Sequence, residues 1–308
     1  MAPAIRPVLV VMDYRGGERF QRCLDSIHPA EHLFSRIVIS VTSAMDSADM
    51  ALAQAYLASH VDSKAEVICT GVELPTMQHQ AFWVEYLQRT GVLGSDWIYW
   101  LAYDDEVRAS GIEPLLDSDG SWPLTPGTAY FGPWAMRHEK ADTVFAGPWD
   151  APLESWTSFP IEGPTELPVV EWIARQLRQP TYMQMSGSVC SFESFQQVRD
   201  RRPRKTGPMR IEMAVAAATC NRTVAEFPEP ISIIYGRSNS DRASYGRSAR
   251  KEDLHLAAWL TRYVGSHPTE LPRLLGEGFS LVGARLGLGR RKGPAVVEDW
   301  VVRGMVRP

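Results

Sequence analysis

The sequence predicts an α/β protein, a mixed, mainly parallel sheet flanked by helices, with a helical extension at the C-terminus. Three observations carry this. Short apolar runs alternate with amphipathic segments over the first 110 residues, the pattern of successive βαβ units. The apolar runs are nearly continuous rather than alternating, as befits strands buried on both faces. One of them, Trp97 to Tyr103, stops abruptly at three acids, Asp104, Asp105 and Glu106.

Taken in order, Pro7 to Met12 (PVLVVM) is a first strand, broken by Asp13-Tyr14-Arg15-Gly16-Gly17. Glu18 to Ile27 follows as a helix, with Phe20, Cys23, Leu24 and Ile27 on one face. Arg36 to Val41 is a second strand, leading through a polar turn at Ser43 to Asp49 into a helix over Met50 to Leu57. Glu66 to Cys69 is a third strand, and Thr76 to Gln88 an amphipathic helix opened by Pro75. The acid-ended strand comes next. Beyond it, residues 111–165 are rich in Pro, Gly and Trp, with strands expected at Thr128 to Trp134 and Thr143 to Trp149. A helix is expected over Val169 to Arg178, a strand or buried loop over Tyr182 to Phe192, an alanine-rich helix over Met209 to Cys220, and a strand over Pro230 to Tyr235.

Composition bounds the function. At 44% hydrophobic, 22% charged and net charge −4, the chain is an ordinary soluble type with no global attraction to nucleic acid. Cys23, Cys69, Cys190 and Cys220 form no CxxC pair, which argues against a zinc site and fits a reducing compartment. There is no signal-peptide pattern and no apolar run of about 18 residues, so a cytoplasmic location is expected. Basic residues gather late, in the Gly/Ser-rich loop 236–251 and in the tail 271–308, where seven Lys/Arg face three acids. That tail could rest peripherally on the inner face of an anionic membrane, or pack on the main domain. His28, His60, His79 and His138 lack metal-pair spacing and read as structural or surface residues.

The three acids are the strongest chemical signal. Adjacent carboxylates repel by about 1 kcal/mol at 4 Å even in water, so they need either full exposure or a cation. Mg²⁺ and similar hard ions use one or two carboxylates completed by substrate phosphates. Ligands of open α/β sheets lie at the carboxyl ends of strands, where Asp13, Tyr14 and Arg15 also fall. A solvated acidic turn is the alternative.

VLVVMDYRGGERFQRCLDSI, RIVISVTSAMDSAD and WIYWLAYDDEV, in that order and spacing, resemble the family-2 glycosyltransferases. The resemblance implies a GT-A-like (Rossmann-like) fold. It divides the chain into a nucleotide-sugar-binding half at 1–110, an acceptor-binding half of the same domain at 111–265, and a basic extension at 266–308. It also implies an inverting, Mn²⁺- or Mg²⁺-dependent transfer from a nucleotide-sugar, a UDP-sugar as first choice, to a glycan or lipid-linked acceptor in a bacterium. Carried onto this chain, Asp105 and Glu106 become metal ligands and Asp104 a ribose contact or further ligand. Asp13, Tyr14 and Arg15 hold the nucleotide, and Asp46 stands nearest to the acid expected after the second strand. Glu212 becomes the general base, with Asp150 and Glu154 in reserve, and Trp134, Trp149 and Trp156 become acceptor platforms. The departures are Arg15 directly after Tyr14, a single acid at Glu212-Met213, and Tyr235-Gly236-Arg237-Ser238 where the family has a His-containing loop. A nucleotidyltransferase and a non-catalytic nucleotide- or glycan-binding module are the other readings.

Overall fold

A computed structural model describes residues 4–132, 134–138, 143–146, 166–172, 186–201, 220–236 and 268–270. Strands β1 (Val8–Asp13), β2 (Arg36–Val41), β3 (Ala65–Cys69) and β4 (Trp97–Ala102) are parallel neighbours in the order β3-β2-β1-β4. Between them run α1 (Glu18–Ile27), α2 (Ala48–Ser59) and α3 (Thr76–Arg89). The sheet continues past β4 into strands from later in the chain. Here β6 is Thr128–Phe131, β9 Glu166–Pro168, β10 Ser188–Ser191 and β11 Thr223–Ala225, and the order extends as β4-β10-β6-β11-β9. β10 runs antiparallel to both β4 and β6, and β9 antiparallel to β11, whereas β6 and β11 are parallel. The result is the mixed, mainly parallel sheet that the sequence predicts.

A core covers each face. On one, Leu9, Val11, Ile37, Ile39, Tyr99 and Leu101 meet α1 and α2; on the other, Val10, Val38, Ile98, Trp100 and Cys190 meet α3 and α5 (Phe192–Arg201). The period-two side-chain alternation of strands sends consecutive residues to opposite cores. Trp83, Trp97, Trp100, Trp122 and Trp172 are all buried.

A second, four-stranded sheet in the order β5-β12-β7-β8 joins β5 (Glu106–Val107), β12 (Ser232–Gly236), β7 (Trp134–His138) and β8 (Thr143–Ala146). Thus the strand expected over Thr128 to Trp134 is two strands. Gly132, at φ 71°, turns the chain from one sheet to the other, a conformation that glycine adopts without a Cβ penalty. The strands β9 and β11 and the helix α5 are additional to the sequence reading. A short helix, α4 (Ala109–Ile112), follows β5. No described helix is long and apolar enough to cross a membrane. The expected helix over Met209 to Cys220 lies outside the described residues apart from Cys220, and so do loop 237–251 and tail 271–308.

Candidate active site at the carboxyl ends of β1, β2 and β4

Asp13 ends β1 and is 0% exposed. The chain then turns sharply: Arg15 and Gly17 both adopt left-handed φ, 53° and 52°. Gly16 admits no side chain, because a Cβ there would sit 2.5 Å from Phe20 Cβ, 2.7 Å from Asp13 Oδ1 and 2.8 Å from a Tyr103 ring carbon. The two amides of this turn are taken by one side chain. Asp49, in the first turn of α2, accepts from Gly16 N at 3.2 Å and from Gly17 N at 2.8 Å. Ser47 caps the same helix, accepting from Met50 N at 3.1 Å.

Asp13 and Asp49 therefore face one another in a dry place. Burial first, and the Asp49 charge second, push the Asp13 carboxyl up to about 8, against the opposing pull of the nearby Gly16 and Tyr14 amides. Neither oxygen of Asp13 has a hydrogen-bond partner. Burial and like charge together favour the protonated form of Asp13.

The outer part of the turn is open. Tyr14 is 40% exposed. The Arg15 guanidinium lies 5.6 Å from its ring centre and donates to Glu73 Oε2 at 2.7 Å. Glu73 belongs to the β3–α3 loop, which is tied in turn to the end of β2 by Leu74 N donating to Thr42 Oγ1 at 2.7 Å. Loops from β1, β2 and β3 thus form one rim, with Tyr14, Met45 and Val72 exposed on it. Asp46 is exposed in the same β2–α2 turn.

The three acids do not cap β4 directly. β4 stops at Ala102, Tyr103 N bonds Met12 O at 3.1 Å, and Asp105 N returns to Ala102 O at 3.1 Å. Glu106 then begins β5, paired with Ile233 of β12. The turn separates the acids: Asp105 is 1% exposed, while Asp104 and Glu106 are half-buried. Cys23 of α1 lies beneath them, its Sγ 3.8 Å from Ala102 O. Burial and then Asp105, Asp104, Asp13 and Glu106 raise this thiol well above the ordinary cysteine range. All four carboxyls are thus within Coulombic reach of one buried sulfur.

Asp13, Tyr14, Arg15, Asp46, Asp104, Asp105 and Glu106 therefore fall at one end of the sheet. Glu212, Asp150, Glu154, Trp149 and Trp156 lie outside the described residues, as does the Trp134 side chain. Asp49 was not singled out by sequence, although Ser47 followed by Asp49 before an apolar helix is a helix-start signal. Among the described residues no three His, Cys, Asp or Glu side chains form a complete metal site. Two half-buried carboxylates suit a hard divalent ion whose remaining ligands come from phosphate.

No protein-family model and no curated protein matches the sequence. Solved structures do match. The chain aligns with GalNAc-T7 bound to UDP, GalNAc and Mn²⁺ at TM-score 0.52 and 11% identity, covering 77% of this chain and 45% of that one. It aligns with the mannosyltransferase PcManGT of Pyrobaculum calidifontis, in complex with GDP-Man and Mn²⁺, at TM-score 0.53 and 12% identity over 100% of this chain and 84% of that one. TarS of S. aureus gives TM-score 0.51 at 9% identity, with 90% and 44% covered. The chain has the GT-A fold. It spans less than half the length of GalNAc-T7 and of TarS. Within the GT-A sheet, Asp104 and Glu106 follow the strand beside β1, and the rim of β1, β2 and β3 loops lies at the same carboxyl end.

Proposed function

We propose that this chain transfers a sugar from a nucleoside-diphosphate donor to a hydroxyl acceptor, with inversion at the anomeric carbon. The observation that carries the reading is the half-buried pair Asp104 and Glu106 at the end of β4, on a GT-A sheet and beside the Asp13–Gly17 turn. This modifies the sequence expectation: Asp104 joins Glu106 as the metal-holding pair, and Asp105 supports the turn from inside. A divalent ion held there, Mn²⁺ or Mg²⁺, would neutralise charge on the departing diphosphate.

The protein's own groups supply the rest. Asp49 fixes the Gly16–Gly17 backbone, so the nucleotide meets a preformed loop. Tyr14 offers a ring to the base, Arg15 a cation to the phosphates, and the exposed Asp46 a carboxylate to base or ribose. Glu212, from the stretch that the sequence assigns to an alanine-rich helix, would take the proton from the acceptor hydroxyl. The bound UDP and GDP-Man of the two similar structures support a nucleotide-sugar donor, with the base left to experiment. A lipid-linked acceptor would give the basic tail a reason to sit at a membrane.

A thermal-shift screen of UDP, GDP, ADP and CDP with and without Mn²⁺ tests this. One nucleotide is expected to raise Tm by a few degrees, as saturating ligand at about 100 Kd adds about 2.7 kcal/mol, and only with metal. No shift with any nucleotide in either condition contradicts the proposal.

A further inference from the structure

The face of α3 that packs on the sheet should be apolar throughout. It is not. Trp83, Val84 and Leu87 are followed upward, toward the helix start, by Gln80 and His79, both 0% exposed. His79 Nε2 and Ser40 Oγ are 2.7 Å apart, but His79 Nδ1 has no partner. Neither does either amide atom of Gln80, nor the indole nitrogens of Trp83 and Trp100. Five buried polar atoms are thus unmatched in one cluster. Each such group is costly, and native interiors rarely leave them so.

Their position links them to the site. Ser40 is level with Met12 of β1, and Met12 with Ala102 of β4. Asp13 is the next residue after Met12, and Asp104 comes two after Ala102. Trp100, one layer lower, is level with Val10 on one side and Ser188 on the other. The nucleotide rim, with Tyr14 and Asp46, belongs to the loops of β1 and β2, whereas this polar set belongs to the α3 side.

The chemistry of the set is uncharged. Burial pushes the His79 imidazole down to about 4, so it is neutral at pH 7, and its companions are an amide, a hydroxyl and two indole N–H groups. Such a lining offers both donors and acceptors without a cation, which suits hydroxyls and poorly suits phosphate. Indole rings also supply flat apolar surface for a ring to lie against.

We propose that His79, Gln80, Trp83 and Trp100 form the seat of the transferred sugar and select it by pairing with its hydroxyls. This rests on the glycosyltransferase reading above. With His79 and Gln80 wholly covered in the ligand-free chain, the first turn of α3 must yield as the ring enters. The Ser40–His79 bond ties that part of the helix to the sheet. A site whose polar groups are satisfied by the right hydroxyls rejects analogues that lack them, because the groups are then left unpaired.

Calorimetry on the full chain with Mn²⁺ tests the assignment, using UDP, UDP-glucose, UDP-galactose, UDP-N-acetylglucosamine, GDP and GDP-mannose. In the wild type one sugar nucleotide is expected to bind at least tenfold more tightly than its parent diphosphate. Gln80→Met and Trp83→Phe should remove most of that increment and leave diphosphate binding within twofold. Gln80→Met should also raise the Tm of the ligand-free chain, since it deletes unpaired buried groups. Diphosphate binding with no sugar increment in the wild type, or an increment that survives both variants, overturns the sugar seat while the transferase reading stands. A large fall in Tm for Gln80→Met also overturns it, by showing the amide to be structural. No binding of any diphosphate overturns both.

Discussion

The Asp49 carboxylate holds the Gly17 amide at 2.8 Å, bridging from the first turn of α2 to the loop that leaves β1. A second bond, from the Gly16 amide at 3.2 Å, makes Asp49 the fastener of the loop on which the nucleotide is expected to rest. Asp49→Ala leaves both amides without this acceptor and should cost about 1–3 kcal/mol of stability, with weaker diphosphate binding. Asp49→Asn, which keeps one acceptor oxygen, should cost less. Urea titration of both variants checks the order; equal stability of all three proteins contradicts it.

Asp13 makes stability depend on pH. Its carboxyl rises from an ordinary 3.8 to about 8 in the folded chain, so the folded state holds the proton more tightly than the unfolded state. The contribution is complete below about pH 4, declines as pH rises through about 8, and is lost above that. Asp13→Asn, which cannot ionise, should flatten this slope, with its advantage over wild type growing from pH 4 to pH 8. Unfolding free energies at several pH values between 4 and 9 decide it; parallel curves for the two proteins would be the contrary result.

The two glycines of the turn fail differently when substituted. A Cβ on Gly16 meets three neighbours under 3.0 Å, so Gly16→Ala should destabilise by about 1–3 kcal/mol through overpacking. Gly17 has nothing within 4 Å of such a Cβ but sits at φ 52°, so Gly17→Ala should cost about 1 kcal/mol, from backbone conformation alone. Denaturation midpoints should rank wild type, Gly17→Ala, Gly16→Ala.

The Arg15–Glu73 pair, though only 2.7 Å long, joins side chains that are 71% and 41% exposed. Glu73→Ala should leave the urea midpoint nearly unchanged, and high salt should shrink any difference further. A clear fall in that midpoint would mean that the rim is more rigid than its exposure implies.

Much of the fold was legible because its central strands are buried on both faces. PVLVVM, RIVISV and WIYWLAY announce themselves as continuous apolar runs, and β2 falls where it was expected, at Arg36–Val41. Of the later strands, β6, β8, β10 and β12 fall on runs that the sequence marks, whereas β5, β9 and β11 are only two or three residues long and have distant partners, so local pattern does not reveal them. β5 exists only because Ile233 and Ser232 lie opposite it; for that reason the acids looked like the tip of β4 rather than a turn between two sheets. The role of Asp49 is hidden from the sequence because this acid lies in the first turn of α2 and not at the end of β2. The sequence reads His79 as a structural or surface residue and does not mark Gln80; only packing shows that both are buried and that most of their polar atoms are unmatched.

The central claim is that Asp104 and Glu106 hold a divalent ion that carries the donor diphosphate. The most direct measurement is Mn²⁺-dependent binding of the preferred nucleoside diphosphate, by calorimetry, to Asp104→Asn, Glu106→Gln and Asp105→Asn. The account predicts that the first two lose at least tenfold in affinity, about 1.4 kcal/mol or more, and lose their response to Mn²⁺, whereas Asp105→Asn stays within about threefold of wild type. Undiminished, metal-responsive binding in both Asp104→Asn and Glu106→Gln would contradict it.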